Sequence, residues 1–155
     1  MSEYKRTLRP FDDFDYSLNG RCVINYEPTK ENAKKRNNPW WIIADVDYNI
    51  SNYYSWWVQR MILNPPWATN GIKLHPPMWG THITVLDGRN EVQPEYHHLW
   101  KKYHGKIINF NYSPDVQQIH KFWVIPVKCK FLMNIRKELG IDDPYPLHIT
   151  IGRIL

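Results

Sequence analysis

The sequence predicts an α+β domain built mainly from antiparallel strands, with two sheets facing a central cleft and helices outside. Three observations predict it. Strand-like and helix-like stretches follow one another without the regular beat of parallel βαβ units. The strand-like stretches are short, rich in β-branched and aromatic residues, and bounded by turn signals. One strand in each half carries the same pattern, His82-Ile83-Thr84 and His148-Ile149-Thr150, which points to two related lobes facing each other.

Taken in order, residues 1–38 are polar and charge-rich, with one strand candidate at 21–26 (RCVINY) and a solvated helix or loop at 29–38. They read as an N-terminal extension packed on a main domain spanning 39–155. Residues 40–47 (WWIIADVD) form a buried strand. A helix follows over 53–63, with Ser51 or Asn52 as its cap, and stops before Pro65-Pro66. The Pro-rich stretch 65–77 is loop, with a short strand candidate at 71–74. Residues 79–86 are a strand that ends in the turn Asp87-Gly88. Residues 94–104 have helical periodicity, with Tyr96, Leu99, Trp100 and Tyr103 on one face. Strands are expected at 106–112 and 120–127, where Pro126 argues for an edge or a bulge. An amphipathic helix over 128–139 closes at Gly140, and after Asp142-Asp143-Pro144 the last strand covers 147–154.

The chain has 155 residues, fits one domain, and is 43% hydrophobic, which excludes a disordered chain as a class. Its two cysteines have no zinc-like spacing and are too few for a disulfide scaffold, so a reduced, cytoplasmic setting is expected. No apolar segment follows Met1 and no apolar run reaches about 18 residues, so neither a signal peptide nor a membrane span is expected. A net charge of +5 with 8 Trp and 10 Tyr favours anionic partners that carry stackable bases.

The repeated motif carries the chemistry. Side chains alternate along a strand, so His82 and Thr84 share one face while Ile83 and Val85 turn to the core. His148 and Thr150 repeat this, with Ile149 and Ile151 inward. Cleaving a phosphodiester beside a 2′-OH needs a base for the 2′ proton and an acid for the leaving 5′ oxygen. Histidine titrates near neutrality and does either job. The threonine hydroxyls can hold the non-bridging phosphate oxygens. The catalytic candidates are therefore His82, Thr84, His148 and Thr150, and the scheme requires neither metal nor cofactor. Two motifs with matching flanks arise by chance only at the level of a few per cent, on the order of other short-motif coincidences.

Paired His-x-Thr motifs on strands resemble those of the 2H phosphoesterase superfamily. Within it the chain is most similar to the phage anti-CBASS cyclic-oligonucleotide nucleases. The residues that carry the resemblance are Trp79-Gly80-Thr81-His82-Ile83-Thr84-Val85, Lys121-Phe122-Trp123-Val124 and Leu147-His148-Ile149-Thr150-Ile151-Gly152-Arg153, and it covers roughly residues 40–155. It implies a bilobal fold with the cleft between lobes. It also implies hydrolysis of 3′–5′ bonds in cyclic di- and trinucleotide messengers, in the host cytoplasm, so that a phage evades immunity. The partner is then the cyclic oligonucleotide, with no membrane and no stable nucleic-acid polymer. The chain ends seven residues after His148, where some relatives carry a longer closing segment, and the N-terminal extension is the candidate substitute.

Trp123, Tyr48 and Tyr112 are the candidate base-stacking residues, each weighed against plain core packing. Trp56, Trp57 and Trp79 read as core or interface. Gly152 continues the catalytic face without a side chain and could admit a ligand closely, while Arg153 falls on the opposite parity and reads as rim or structural. His97, His98 and His104 read as surface histidines, and Lys101, Lys102, Lys106 and Lys121 as a solvated positive face. An RNA 2′,3′-cyclic or 2′,5′-oligoadenylate phosphodiesterase is the alternative of the same chemistry. A non-catalytic nucleotide- or RNA-binding module is the alternative of another class.

Overall fold

The computed structural model describes residues 14–28, 40–67, 71–77 and 80–154. Trp79 and the whole of the 29–38 run lie outside them. The elements in chain order are β1 (Leu18–Tyr26), β2 (Ile42–Val46), α1 (Tyr48–Trp57) running into a π-helical turn (Val58–Leu63), β3 (His82–Leu86), and a 3-10 helix (Pro94–Leu99). They continue with β4 (Ile107–Tyr112), β5 (Gln117–Ile119), β6 (Phe122–Lys128), α2 (Lys130–Glu138) and β7 (His148–Arg153). The fold is α+β, and all strand pairings among the described residues are antiparallel.

The strand order is β4-β1-β2-β3-β7-β6-β5, and β4 also pairs with β6. Six strands therefore close on themselves as a barrel, with β5 added outside β6. The closure has two short seams. β3 and β7 share one rung, Ile83 opposite Ile149. β4 and β6 share two, Asn111 opposite Lys128 and Tyr112 opposite Val127. Two clearly separate sheets are thus replaced by one continuous sheet that narrows at two places.

The sheet's inner face is apolar, by alternation on β1 and the start of β3 and β7. Cys22, Ile24 and Tyr26 of β1 lie opposite Val46, Ala44 and Ile42 of β2, all buried. Ile83, Ile125 and Ile149 continue the row with no exposed surface. Each such isoleucine contributes about 1.5–3 kcal/mol by burial. A one-residue slip would put His82 and His148 in the core and these isoleucines in water, so the register is pinned.

β1 corrects the expected domain boundary at 38/39. It is an interior strand, hydrogen-bonded to β2 on one edge and β4 on the other. Its alternation was legible, but its low-apolar flanks read as an appendage. Other expectations shift in extent. α1 starts at Tyr48, because Asp47 rather than Ser51 or Asn52 caps it by accepting from Asn49 N–H at 2.9 Å. The helix expected over 94–104 is only a short 3-10 turn followed by loop. The strand expected near 71–74 is a single bridge, His75 with Arg153. β6 is neither an edge strand nor bulged at Pro126: the register shift faces Trp123 and Val124 with Gly152 and Thr150, so the extra residue is Ile151 of β7. Val127 N–H donates to Leu147 on the β7 side, so Pro126's missing N–H falls on the other side, where β5 pairing has ended.

α2 is tied to β3 by a buried cation. Arg136, 1% exposed, donates to the Val85 carbonyl of β3 at 2.8 Å and to Asp143 at 2.6 Å, and its guanidinium lies 4.4 Å from the Tyr145 ring centroid. Arg136→Met keeps the stem but deletes both bonds. It is expected to cost about 2–4 kcal/mol, the range for charge-assisted buried contacts. A lower urea midpoint at unchanged m-value checks this. The cysteines are buried free thiols, and burial pushes Cys22 up to about 12, which makes it a poor nucleophile.

Candidate active site

The single rung between β3 and β7 assembles the site. With Ile83 opposite Ile149, one step along antiparallel strands puts His82 opposite Thr150 and Thr84 opposite His148. All four side chains emerge on the face away from the core, and all four are half-buried. Directly opposed residues have Cβ atoms about 4.5–5.5 Å apart, and the diagonal pair His82 and His148 about 7–8 Å. Each imidazole thus has its own strand's threonine two residues along and the other strand's threonine across the seam. That spacing suits one phosphate group between two rings.

The two rings are held alike. His82 Nδ1 donates to the Gly80 carbonyl at 2.9 Å, and His148 Nδ1 donates to the Pro146 carbonyl at 2.8 Å. In both cases the acceptor is the carbonyl two residues back. A carbonyl only accepts, so each Nδ1 carries hydrogen and Nε2 is the ring nitrogen left to exchange a proton with a ligand. Burial holds His148 below the ordinary imidazole value of 6.5; the Pro146 carbonyl opposes this, and the nearby His82 adds to it. His148 is therefore biased to the neutral, proton-accepting form.

The segment 71–77 closes one end of the site. Gln59 and Asn64, both on the π-helical turn or at its end, grip its backbone. Gln59 accepts from Leu74 N–H at 2.7 Å and donates to the Ile72 carbonyl, and Asn64 accepts from Ile72 N–H at 2.7 Å. Leu74 is thereby pressed onto Gly152, where an added Cβ would come within 2.5 Å of its side chain. Gly152 does admit a close approach, but the visitor is Leu74 and not a ligand. On the α1 side, buried Ser51 and Thr81 share a hydroxyl hydrogen bond next to His82.

At the other end this outer face opens into a groove of about 610 Å³. It runs over β2, β1 and β4 and under the start of α1. Asp45, the Cα partner of His82, lines it, so the groove begins one strand away from the imidazole. Asn19, Arg21, Val23, Ile107 and Asn109 line it further out, with Asp47, Asn49 and Ile50 from the helix start. None of these was singled out from the sequence. The signal available was the alternation of β1 and β4, which places Arg21 and Val23 with Asn109 and Ile107 on one face.

Of the three stacking candidates, Tyr112 lines this groove. Tyr48 opens α1 with 64% of its surface exposed, beside the groove but outside its lining. Trp123 does not fit the expectation. The bulge sets it opposite Gly152, and at 7% exposed it belongs to the apolar core, so no ring face is offered to a base. Trp56, by contrast, is 55% exposed on α1. Arg153 is half-buried and bridges to His75 through the backbone. His97 stacks on Trp40 and donates to the Val92 carbonyl, and His104 accepts from Tyr26 N–H, which are structural uses. Lys101 pairs with Glu27 at 2.8 Å, away from the groove's lining.

Among the described residues no three His, Cys, Asp or Glu side chains converge as a metal site, and no helix is long and apolar enough to cross a membrane. Comparison with protein-family models, with curated proteins and with solved structures gives no match.

Proposed function

We propose that the protein is a metal-independent phosphodiesterase that cleaves 3′–5′ bonds of cyclic di- or trinucleotides. The observation that carries this reading is the β3–β7 register, which groups His82, Thr84, His148 and Thr150 on one open face. His148, biased to neutrality, takes the 2′-OH proton. His82 gives a proton to the departing 5′ oxygen. Thr84 and Thr150 hold the non-bridging oxygens while the 2′ oxygen attacks phosphorus, leaving a 2′,3′-cyclic phosphate end that the same groups can hydrolyse with water. The narrow seams at β3–β7 and β4–β6 divide the sheet into β4-β1-β2-β3 and β7-β6-β5. We take these as the two lobes the motif repeat suggested. The role in phage evasion of CBASS immunity rests on the motif resemblance alone.

The test is incubation with cyclic di-GMP, cyclic GMP–AMP and cyclic trinucleotides in EDTA, with products resolved by chromatography. Turnover is expected, with kcat/KM falling on the acid side through a pKa below 6.5, where His148 becomes protonated. Folding stability should follow the same group. The unfolded imidazole binds a proton near 6.5 that the folded one still refuses, so stability is level above 6.5 and is lost as pH falls toward the lower folded value. His148→Gln should flatten that slope in urea titrations. Activity that requires an added metal, or turnover only of RNA ends with a 2′,3′-cyclic phosphate, would redirect the assignment.

A further inference from the structure

We infer that the groove beside His82 is a guanine-binding subsite, with Asp45 as its specificity-determining residue; this rests on the phosphodiesterase reading for its role in turnover, but not for the binding itself. The charge of the groove comes first. Asp45, Asp47 and Arg21 line it, two carboxylates against one guanidinium. A second phosphate is disfavoured there, and the groove instead suits the neutral, hydrogen-bonding part of a nucleotide whose phosphate sits at the imidazoles.

The groove also has the parts a base needs. Val23 and Ile107 lie opposite one another and are 38% and 63% exposed, an apolar floor left uncovered in the middle of the sheet face. Convergent polar groups around an exposed apolar floor are the general form of a small-ligand site. Val23 is also the Cα partner of Asp45, so the floor and the carboxylate are in one row that leads to His82.

The polar pattern selects among the bases. Guanine alone presents two adjacent donors, N1–H and the 2-amino group, that a single carboxylate can accept together. Adenine offers a ring-nitrogen acceptor at the same place, which a carboxylate repels. Asn25 donates to Asp45 Oδ2 at 3.1 Å, which orients the carboxylate and leaves Oδ1 and a second lone pair of Oδ2 to accept from a ligand. On the adjoining edge guanine carries the O6 and N7 acceptors that arginine reads. Arg21 sits on the same face, diagonal to Asp45 across β1 and β2, at about 7–8 Å between Cβ atoms. A guanine laid on Val23 and Ile107 would have its donor edge toward Asp45 and its acceptor edge toward Arg21.

The experiment is calorimetric titration of the full chain with guanosine, inosine and adenosine 5′-monophosphates. Guanosine monophosphate is expected to bind about 10- to 100-fold tighter than adenosine monophosphate, the range for one well-made two-point contact. Inosine monophosphate, which lacks only the 2-amino group, should fall between them. Asp45→Asn is nearly isosteric and keeps an oxygen for Asn25, and it should erase the preference. Arg21→Met should weaken guanosine monophosphate several-fold. Equal affinities in the native protein, or a preference that survives Asp45→Asn, would overturn the assignment. Selective binding without turnover of any cyclic nucleotide would leave the subsite standing and sink the catalytic reading, and turnover with no base selectivity would do the reverse.

Discussion

Replacing either imidazole, His82→Ala or His148→Ala, is expected to lower kcat on a cyclic dinucleotide by about 10²–10⁴-fold, the usual value of one positioned proton transfer. Both rings are half-buried on the outer face, and each is hydrogen-bonded to a carbonyl two residues back. Neither belongs to the apolar row, so each variant should fold, which thermal melting checks. The two roles act on one transition state, and the double variant should lose much less than the product of the single losses. KM should change little, because the threonines and the groove still hold the substrate. Full activity in the double variant would remove the imidazoles from the mechanism, whatever the fate of the fold.

A substrate that carries hydrogen in place of the 2′-OH beside the scissile phosphate is expected to resist cleavage by 10³-fold or more. The 2′ oxygen is an intramolecular nucleophile, and such groups act with effective molarities on the order of 10⁵–10⁸ M. Removing it leaves His148 with no proton to accept from the substrate and forces attack by water from outside. Binding should survive, since phosphate and bases are unchanged, so the analogue should act as a competitive inhibitor. Equal cleavage of the deoxy and ribo substrates would show water as the nucleophile, and the role given to His148 would have to move from the sugar hydroxyl to that water.

How the sequence declared these groups is instructive. The alternation in His82-Ile83-Thr84 and His148-Ile149-Thr150 already fixes which side chains turn outward, because a strand has a period of two and isoleucine cannot stay in water when a core is at hand. A second local signal, glycine's tolerance of positive φ past a helix end, made the closing of α2 at Gly140 readable, and the structure gives that glycine a φ of 80°. Trp123 was misjudged because β6 is buried on both faces, so alternation alone does not say which of them is the core; Trp123 shares its face with the core residues Ile125 and Val127. The status of residues 18–26 was misjudged because polar alternate positions resemble an appendage until their neighbours are known.

By itself, then, the sequence determined the α+β class, the antiparallel strands and the outward direction of the four catalytic candidates, all of which follow from short-range periodicity. Only the tertiary structure decided that β3 lies beside β7 in the register that brings Ile83 to Ile149, that β1 joins β2 and β4, and that Asp45 and Arg21 share a groove one strand away from His82. The physical reason is that pairing between strands 66 residues apart is set by how the whole apolar surface is buried at once. No local pattern encodes which two strands will share that rung.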